Sequence, residues 1–346
     1  MTPARPTFDY RAVQPPSGYI AVHREPSDLV QTHNTIPNRY VVVINAASGS
    51  NDGVQMRASI ENRLTEAGCD VEFVGIEDTS RIQDYASKAA KRARDWEAQL
   101  VAVGGDGTVN AVVAAALEHK VALALLPQGT FNFFGRTHGI PETTEEGIDV
   151  LLHGRLVPVQ VARVNDRIFV VNASVGLYPQ VLEDREAWKK QFGRSRFVAF
   201  FSGLTTLLRG YHSLRLEITD ADGTTRELRT PTLVVANNAL QLEMIGIGEA
   251  PTIASGHLVA ITLKHVGKLQ MIGLILRGAL GKLGEAERVQ SFGFRRMTVN
   301  SRSQKRRLKM ALDGEISRMD APLTFEALPD ALQLLVPQPG EAAVRA

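Results

Sequence analysis

The chain has 346 residues, enough for one or two domains with a sizeable core, and its 44% hydrophobic and 22% charged content is that of an ordinary globular protein. Thirty-nine Lys and Arg against 37 Asp and Glu leave a net charge of +2, which demands no nucleic-acid partner. A single cysteine, Cys69, excludes an intramolecular disulfide and fits a reducing cytoplasm. The first residues lack the basic start and apolar run of a secretory signal, and no stretch reaches the ~18 uncharged apolar residues of a membrane span. Any lipid partner must then be met from the water side.

In chain order, residues 1–38 carry six of the 16 prolines and no sustained periodicity, and are expected to be a loosely ordered extension. The run Tyr40-Val-Val-Val-Ile44 suits a strand buried on both faces. Met56, Ile60, Leu64 and Ala67 have helical spacing and stop at Gly68. Strands are expected at 71–76, 100–103 and 121–126, with helices at 81–95 and 109–119. This β-α-β-α order predicts a parallel sheet with helices on its faces, an α/β domain over 39–155. Beyond it, short alternating segments at 157–164, 168–174, 213–219, 225–229, 231–236, 257–263, 292–299, 308–312 and 332–336 predict an antiparallel β domain over 156–337, with a tail at 338–346. Asn165-Asp166 and Asp222-Gly223 read as turns between strands. Two helical inserts are expected near 185–208 and 267–282.

Three loops follow three strands of the first domain. Asn45-Ala-Ala-Ser-Gly49-Ser50 is a small turn that lets backbone amides approach a ligand. Gly104-Gly105-Asp106-Gly107-Thr108 has three glycines in four positions, read as permitting unusual backbone angles and clearing room for a phosphate at a helix start near Val109. A carboxylate there makes sense if Mg²⁺ lies between it and the phosphates, or if it orients an attacking hydroxyl. Pro127-Gln-Gly129-Thr130-Phe-Asn132 adds a third turn with a hydroxyl and an amide. Loops at the carboxyl ends of parallel strands converge on one crevice. The chain has neither Gly-x4-Gly-Lys-Ser/Thr nor Gly-x-Gly-x-x-Gly after a strand, which excludes a Walker-type NTPase and weakens a dinucleotide oxidoreductase.

On these residues the chain resembles the diacylglycerol kinase catalytic-domain family, and within it the bacterial YegS-like lipid kinases, relatives of the sphingosine and ceramide kinases. Gly104-Gly-Asp-Gly-Thr-Val-Asn110 is similar to their nucleotide-binding signature, and Pro127-Gln-Gly-Thr-Phe-Asn132 to the usual Pro-x-Gly-Thr-x-Asn. Asn172-Ala-Ser-Val-Gly-Leu-Tyr178, Asn237-Asn238 and Asp313-Gly-Glu315 follow in family order. The resemblance implies a Rossmann-like three-layer α/β domain, a C-terminal antiparallel β-sandwich, and ATP with Mg²⁺ between them. It places ATP contacts on Asn45, Ala46, Ala47, Ser48, Gly49, Gly104, Gly105, Asp106, Gly107, Thr108, Val109, Asn110, Gly129, Thr130 and Asn132. It implies Glu315 as general base, Asp313 orienting it or the metal, and Asp106 assisting Mg²⁺ on the phosphates. The implied reaction moves the γ-phosphoryl group of ATP to a lipid hydroxyl, with the protein cytoplasmic and peripheral at the membrane. The alternatives are a soluble-substrate kinase of the NAD-kinase type and a catalytically silent lipid- or nucleotide-binding protein.

Three positions depart from the family pattern. Ala46 replaces a frequent Pro, and Phe133 stands where some relatives have Asp or His. Ser255, in Ala254-Ser-Gly-His-Leu258, replaces an Asp that helps relatives hold a structural Mg²⁺. Candidate lipid or membrane segments are 196–208, preceded by Lys189, Lys190 and Arg194, and 269–283, with Lys268, Arg277 and Lys282. Lys305-Arg306-Arg307 reads as a solvated edge or a headgroup contact. The oligomeric state, monomer or homodimer, is left open.

Overall fold

The computed structural model describes residues 37–45, 51–129, 131–176, 214–264, 282–302 and 307–339, with 270, 273, 274 and 277. Its N-terminal half alternates β1 (Arg39–Asn45), α1 (Asn51–Glu66), β2 (Asp70–Ile76), α2 (Ile82–Asp95), β3 (Gln99–Gly104), α3 (Asp106–His119) and β4 (Leu123–Pro127). These four strands pair in parallel in the order β2-β1-β3-β4. Two further helices, α4 (Phe133–Thr137) and α5 (Thr144–His153), lead into the second half.

The apolar run of β1 explains the layering. Val41 and Val43 point to one face and pack with Ala86, Ala89 and Ala93 of α2 and Val112 and Ala116 of α3. Tyr40, Val42 and Ile44 point to the other face and meet Ile60 and Leu64 of α1 and Ile148 and Leu151 of α5. A strand with helices on both faces has no polar side. The Tyr40 hydroxyl donates to the Leu151 carbonyl at 2.8 Å, which satisfies the one polar atom that this strand buries.

The second half holds β5 (Arg155–Val164), β6 (Arg167–Phe169), β7 (Asn172–Gly176), β8 (Leu214–Asp220), β9 (Thr225–Thr230), β10 (Thr232–Ala236), α6 (Ala239–Met244), α7 (Ala250–Ala254) and β11 (Leu258–Leu263). It ends with β12 (Val289–Phe294), β13 (Arg296–Ser301), β14 (Arg307–Leu312), β15 (Glu315–Asp320) and β16 (Leu323–Val336). A six-stranded antiparallel sheet runs β12-β11-β10-β7-β14-β15. It faces β5, β8, β13 and β16 across a core that includes Phe169, Val175, Leu233, Met310, Met297 and Phe325.

Two long strands join the halves. The far end of β16 pairs in parallel with β4 through Leu334 and Leu123, while its near end pairs with β13. β5 runs antiparallel beside it along nearly its whole length, with a register shift between Leu328 and Leu332. The parallel sheet and one layer of the sandwich are therefore one continuous ten-stranded sheet, and the six-stranded sheet is the other layer. The 155/156 division drawn on composition falls at the start of β5, which serves both parts.

Most elements lie close to their expected positions, with several differences. The expected strand at 168–174 is two strands, β6 and β7, and the expected 332–336 is only the far end of β16. The expected strand at 292–299 is two strands, β12 and β13, that meet around Arg295. β15 has no counterpart among the expected segments. It is an edge strand, largely exposed along its length, so its sequence carries no apolar alternation. Helix α3 begins at Asp106, three residues before the expected Val109. The insert at 185–208 lies outside the described residues. Of the insert at 267–282, the described positions 270, 273, 274 and 277 are helical.

Phe325 is fully buried where β16 enters the sandwich. Phe325→Ala is expected to cost about 3–5 kcal/mol, read as a lower urea midpoint with an unchanged transition slope.

Candidate active site

The loops after β3 and β4 touch each other. A Cβ added at Gly129 would lie 3.1 Å from the Gly105 Cα and 2.7 Å from the Asn132 Oδ1; one added at Gly104 would lie 2.7 Å from the Thr108 Oγ1. None of Gly104, Gly105, Gly107 or Gly129 has a positive φ. This corrects the expectation of unusual backbone angles: Gly105 and Gly129 pack backbone to backbone, while Gly104 and Gly107 leave room for the side chains of Thr108 and Glu315. The Gln128 N–H donates to the Gly104 carbonyl at 2.9 Å and carries the β3-β4 ladder into the loops.

Asn132 closes the second loop on itself. Its Oδ1 accepts from the Gly129 N–H at 2.8 Å, and its Nδ2 donates to the Gly129 carbonyl at 2.9 Å. The residue is buried in the left-handed region, at φ 47°, which an asparagine tolerates. Its amide is thus spent on loop shape.

Asp106 links the two loops. The backbone N–H groups of Asn132, of Asp106 itself and of Phe133, two of them at the start of α4, act electrostatically on its carboxylate. Burial pushes its pKa up, and these donors oppose the rise.

Asp313 and Gly314, at φ 45° and 88°, form the two-residue turn between β14 and β15. Asp313 Oδ1 accepts from the N–H of Val171 at 2.8 Å and of Asn172 at 2.9 Å. Its Oδ2 accepts from the Val170 N–H at 2.8 Å and from Asn110 Nδ2 at 2.6 Å. Burial pushes this carboxyl up against the pull of the four donors. All four partners are donors, so the pocket is complementary to the ionised form. Asp313, expected to orient the base or a metal, has both oxygens committed to this cradle.

Glu315, two residues on, is exposed, and a Cβ at Gly107 would lie 3.1 Å from its Oε1. Gly107 and Asn110 are three apart on α3 and share a face. The turn therefore rests on α3 at two points: Asp313 on Asn110, and Glu315 on Gly107 nearer the helix start. Glu315 is the carboxylate left facing solvent beside the free N–H groups of that helix.

Among the other motif asparagines, Asn238 ties the two halves together, and Asn237 and Asn172 brace the second half. Asn238 caps α6 through the Gln241 N–H at 2.9 Å and donates to the Phe133 carbonyl and the Thr137 Oγ1. Asn237 donates to the Val170 carbonyl and accepts from Gln160 Nε2 at 2.7 Å. Asn172 donates to Gln241 Oε1 at 3.0 Å. Sequence reading missed Gln160 and Gln241, because lone glutamines on ordinary elements carry no motif signal.

Several expected contacts cannot be placed. Ala46, Ala47, Ser48, Gly49 and Thr130 lie outside the described residues, as do 196–208, Lys305 and Arg306; Asn45 is described only as the end of β1. Thr108 is buried against Gly104, and the Val109 N–H donates to the Gly105 carbonyl at 3.0 Å.

A metal finds no cage of protein ligands among the described residues, where no group of three or more His, Cys, Asp or Glu could hold one. The structural Mg²⁺ of relatives does not fit here. Ser255 ends α7 with a hydroxyl in place of a carboxylate, and Gly256 follows at φ 77°. A Mg²⁺ carried on nucleotide phosphates does fit, because such an ion needs only one or two carboxylates from the protein.

Two tests follow from the packing of these loops. Gly129→Ala would drive its Cβ into the Asn132 amide and the Gly105 backbone, and is expected to cost about 1–3 kcal/mol. Gly248→Ala, where a Cβ meets nothing within 4 Å, should stay within about 0.5 kcal/mol in the same denaturation series. At the end of α4, burial lowers the His138 imidazole from 6.5 to about 4. Unfolded chains then bind a proton that folded ones refuse between those values. Stability should fall as pH drops through that window, by at most about 1.4 kcal/mol per pH unit. His138→Phe, which keeps an edge-on ring against Phe134, should flatten that part of the profile.

The family model for the diacylglycerol kinase catalytic domain matches residues 39–164, and that for the YegS C-terminal NAD kinase beta sandwich-like domain matches residues 173–336. The chain is 29% identical over 219 residues to a protein of Cronobacter sakazakii named "probable lipid kinase YegS-like", covering 62% of this chain and 67% of that one. It is 29% identical over 142 residues to a diacylglycerol kinase of Staphylococcus saprophyticus, covering 40% of this chain and 46% of that one. The chain thus spans about half to two thirds of the length of these curated relatives. The crystal structure of a diacylglycerol kinase from Bacillus anthracis shares the fold, with a TM-score of 0.62 at 19% identity, over 88% of this chain and 99% of that one. With one model on the α/β half and the other on the sandwich, the chain belongs to the diacylglycerol kinase catalytic-domain family, on its YegS-like side.

Proposed function

We propose that this protein is a lipid kinase that transfers the γ-phosphoryl group of ATP to a lipid hydroxyl. One observation carries the reading. An exposed carboxylate, Glu315, lies against Gly107 at the start of α3, where the two glycine loops meet. Phosphoryl transfer needs in-line positioning and neutralised charge, and little covalent help. The start of α3 offers free N–H groups for phosphate oxygens. Glu315 stands where it can accept the proton of the acceptor hydroxyl as that oxygen attacks. Asp106 and Glu315 are the carboxylates available to a Mg²⁺ bound with ATP, and that ion would supply charge neutralisation at the phosphates. Asp313 is assigned no direct part, because its oxygens are already filled.

The acceptor is proposed to be a lipid because both family models and the named relatives are of lipid-kinase type. Among the described residues no helix is long and apolar enough to cross a membrane. Access to a lipid would then be from the membrane surface, with 196–208 and 269–283 as the proposed contact segments.

The test is Mg²⁺-dependent transfer of labelled γ-phosphate from ATP to a panel of hydroxylated lipids in mixed micelles, with NAD as the soluble control. A labelled lipid is expected, and Glu315→Gln should lower its kcat by about 10²–10⁴-fold. Label on NAD alone would reassign the protein to the soluble kinases. Near-normal turnover by Glu315→Gln would remove the base from its role.

A further inference from the structure

We infer that Asn110 and Asp313 form a positioning latch for Glu315, so that Asn110 acts on turnover through Glu315 and not as a nucleotide contact. The inference rests on the kinase reading above, and its geometry is independent of it. Asn110 Nδ2 is 2.6 Å from Asp313 Oδ2, and the same group reaches the Ile168 carbonyl at 3.4 Å. Both of its N–H bonds are directed into the β domain, which takes the amide donor away from the side of α3 where a nucleotide would be read. On the other partner, three successive backbone N–H groups, from Val170 to Asn172, complete the carboxylate cradle. The Asp313 N–H also donates to the Asn172 carbonyl at 2.9 Å. The turn is therefore fixed from four sides by its first residue.

Among the described residues Glu315 itself has no comparable side-chain anchor. It begins an exposed edge strand, and its carboxylate position is defined by the close approach to Gly107. Whether that carboxylate stands at the helix start depends on where the turn sits along α3. Asn110 is the one α3 side chain bonded to the turn among the described hydrogen bonds. Loss of that bond removes the direct tie of the turn to α3, and a displacement of the order of 1 Å costs about 10²-fold in a positioned reaction.

The experiment compares wild type, Asn110→Leu, Glu315→Gln and the double variant. ATP and the lipid labelled by wild type in the panel above serve as substrates, and dioleoylglycerol is the first probe. Asn110→Leu is expected to lower kcat by about 10–10²-fold with KM for ATP within about twofold. In the Glu315→Gln background the same change should have no further effect, because it acts through the base. A rise in KM for ATP at unchanged kcat, or full multiplication of the two losses, would overturn the latch. Asn110→Ser, a smaller change that keeps a hydroxyl donor, takes its place if the leucine variant does not fold, with the same expectations. Amide exchange at 170–172 and 313–315, without substrate, separates the two readings. Faster exchange there in the Asn110 variant, with no transfer to any lipid by wild type, would leave the latch standing and remove the kinase. Unchanged exchange would remove the latch even in an active enzyme.

Discussion

A carboxylate taken out of water survives only where donors replace its hydration, and the Asp313 cradle does this with three backbone N–H groups and one side-chain amide. The donors come from different places in the chain. Asn110 belongs to a helix of the parallel sheet, and residues 170–172 lead into the six-stranded sheet. Satisfying one buried charge therefore requires both halves to be in place at once. Break any part and a charge or several backbone donors are stranded, at about 1–3 kcal/mol for each unsatisfied group. The geometry of the candidate site is a by-product of this requirement.

The same logic extends along the boundary between the halves. Asn172, Asn237 and Asn238 each use a side-chain amide to meet a group on another element, and Gln160 and Gln241 supply partners. A neutral amide can donate and accept, so it can tie a loop to a helix without burying charge. Such residues look like ligand contacts in a sequence, because they cluster in motifs with glycines. In the folded chain most of them contact protein. The motif glycines have the same character: Gly105 and Gly129 are small because each is the other's neighbour.

The parallel sheet was legible because β1, β3 and β4 are buried on both faces and their residues form unbroken apolar runs bounded by glycine turns. The sandwich was legible in kind, through alternation and through turns such as Asp222-Gly223. β15 was not, since an exposed edge strand needs no apolar face. The continuity of β5 and β16 through both sheets was hidden for another reason: pairing partners more than 150 residues apart leave no local trace. Within the site, sequence located Asp106, Asp313 and Glu315, and the resemblance gave them separate roles. Packing gives each its own surroundings: Asp106 near the start of α4, Asp313 in a cradle of four donors, and Glu315 exposed beside the start of α3.

That separation bears on how the proposed chemistry would be organised. The nine β5-β16 pairs between Phe325 and Val336 and the pairing of β16 with β4 build the two halves into one sheet, and Asp313 ties the β14-β15 turn to α3. An electrostatic site gains most when its dipoles and charges need no rearrangement during reaction. Here the turn that carries Glu315 is held by the bonds of Asp313 to other elements. A frame of this kind would hold the proposed phosphate end of the site in place whichever hydroxyl is the acceptor.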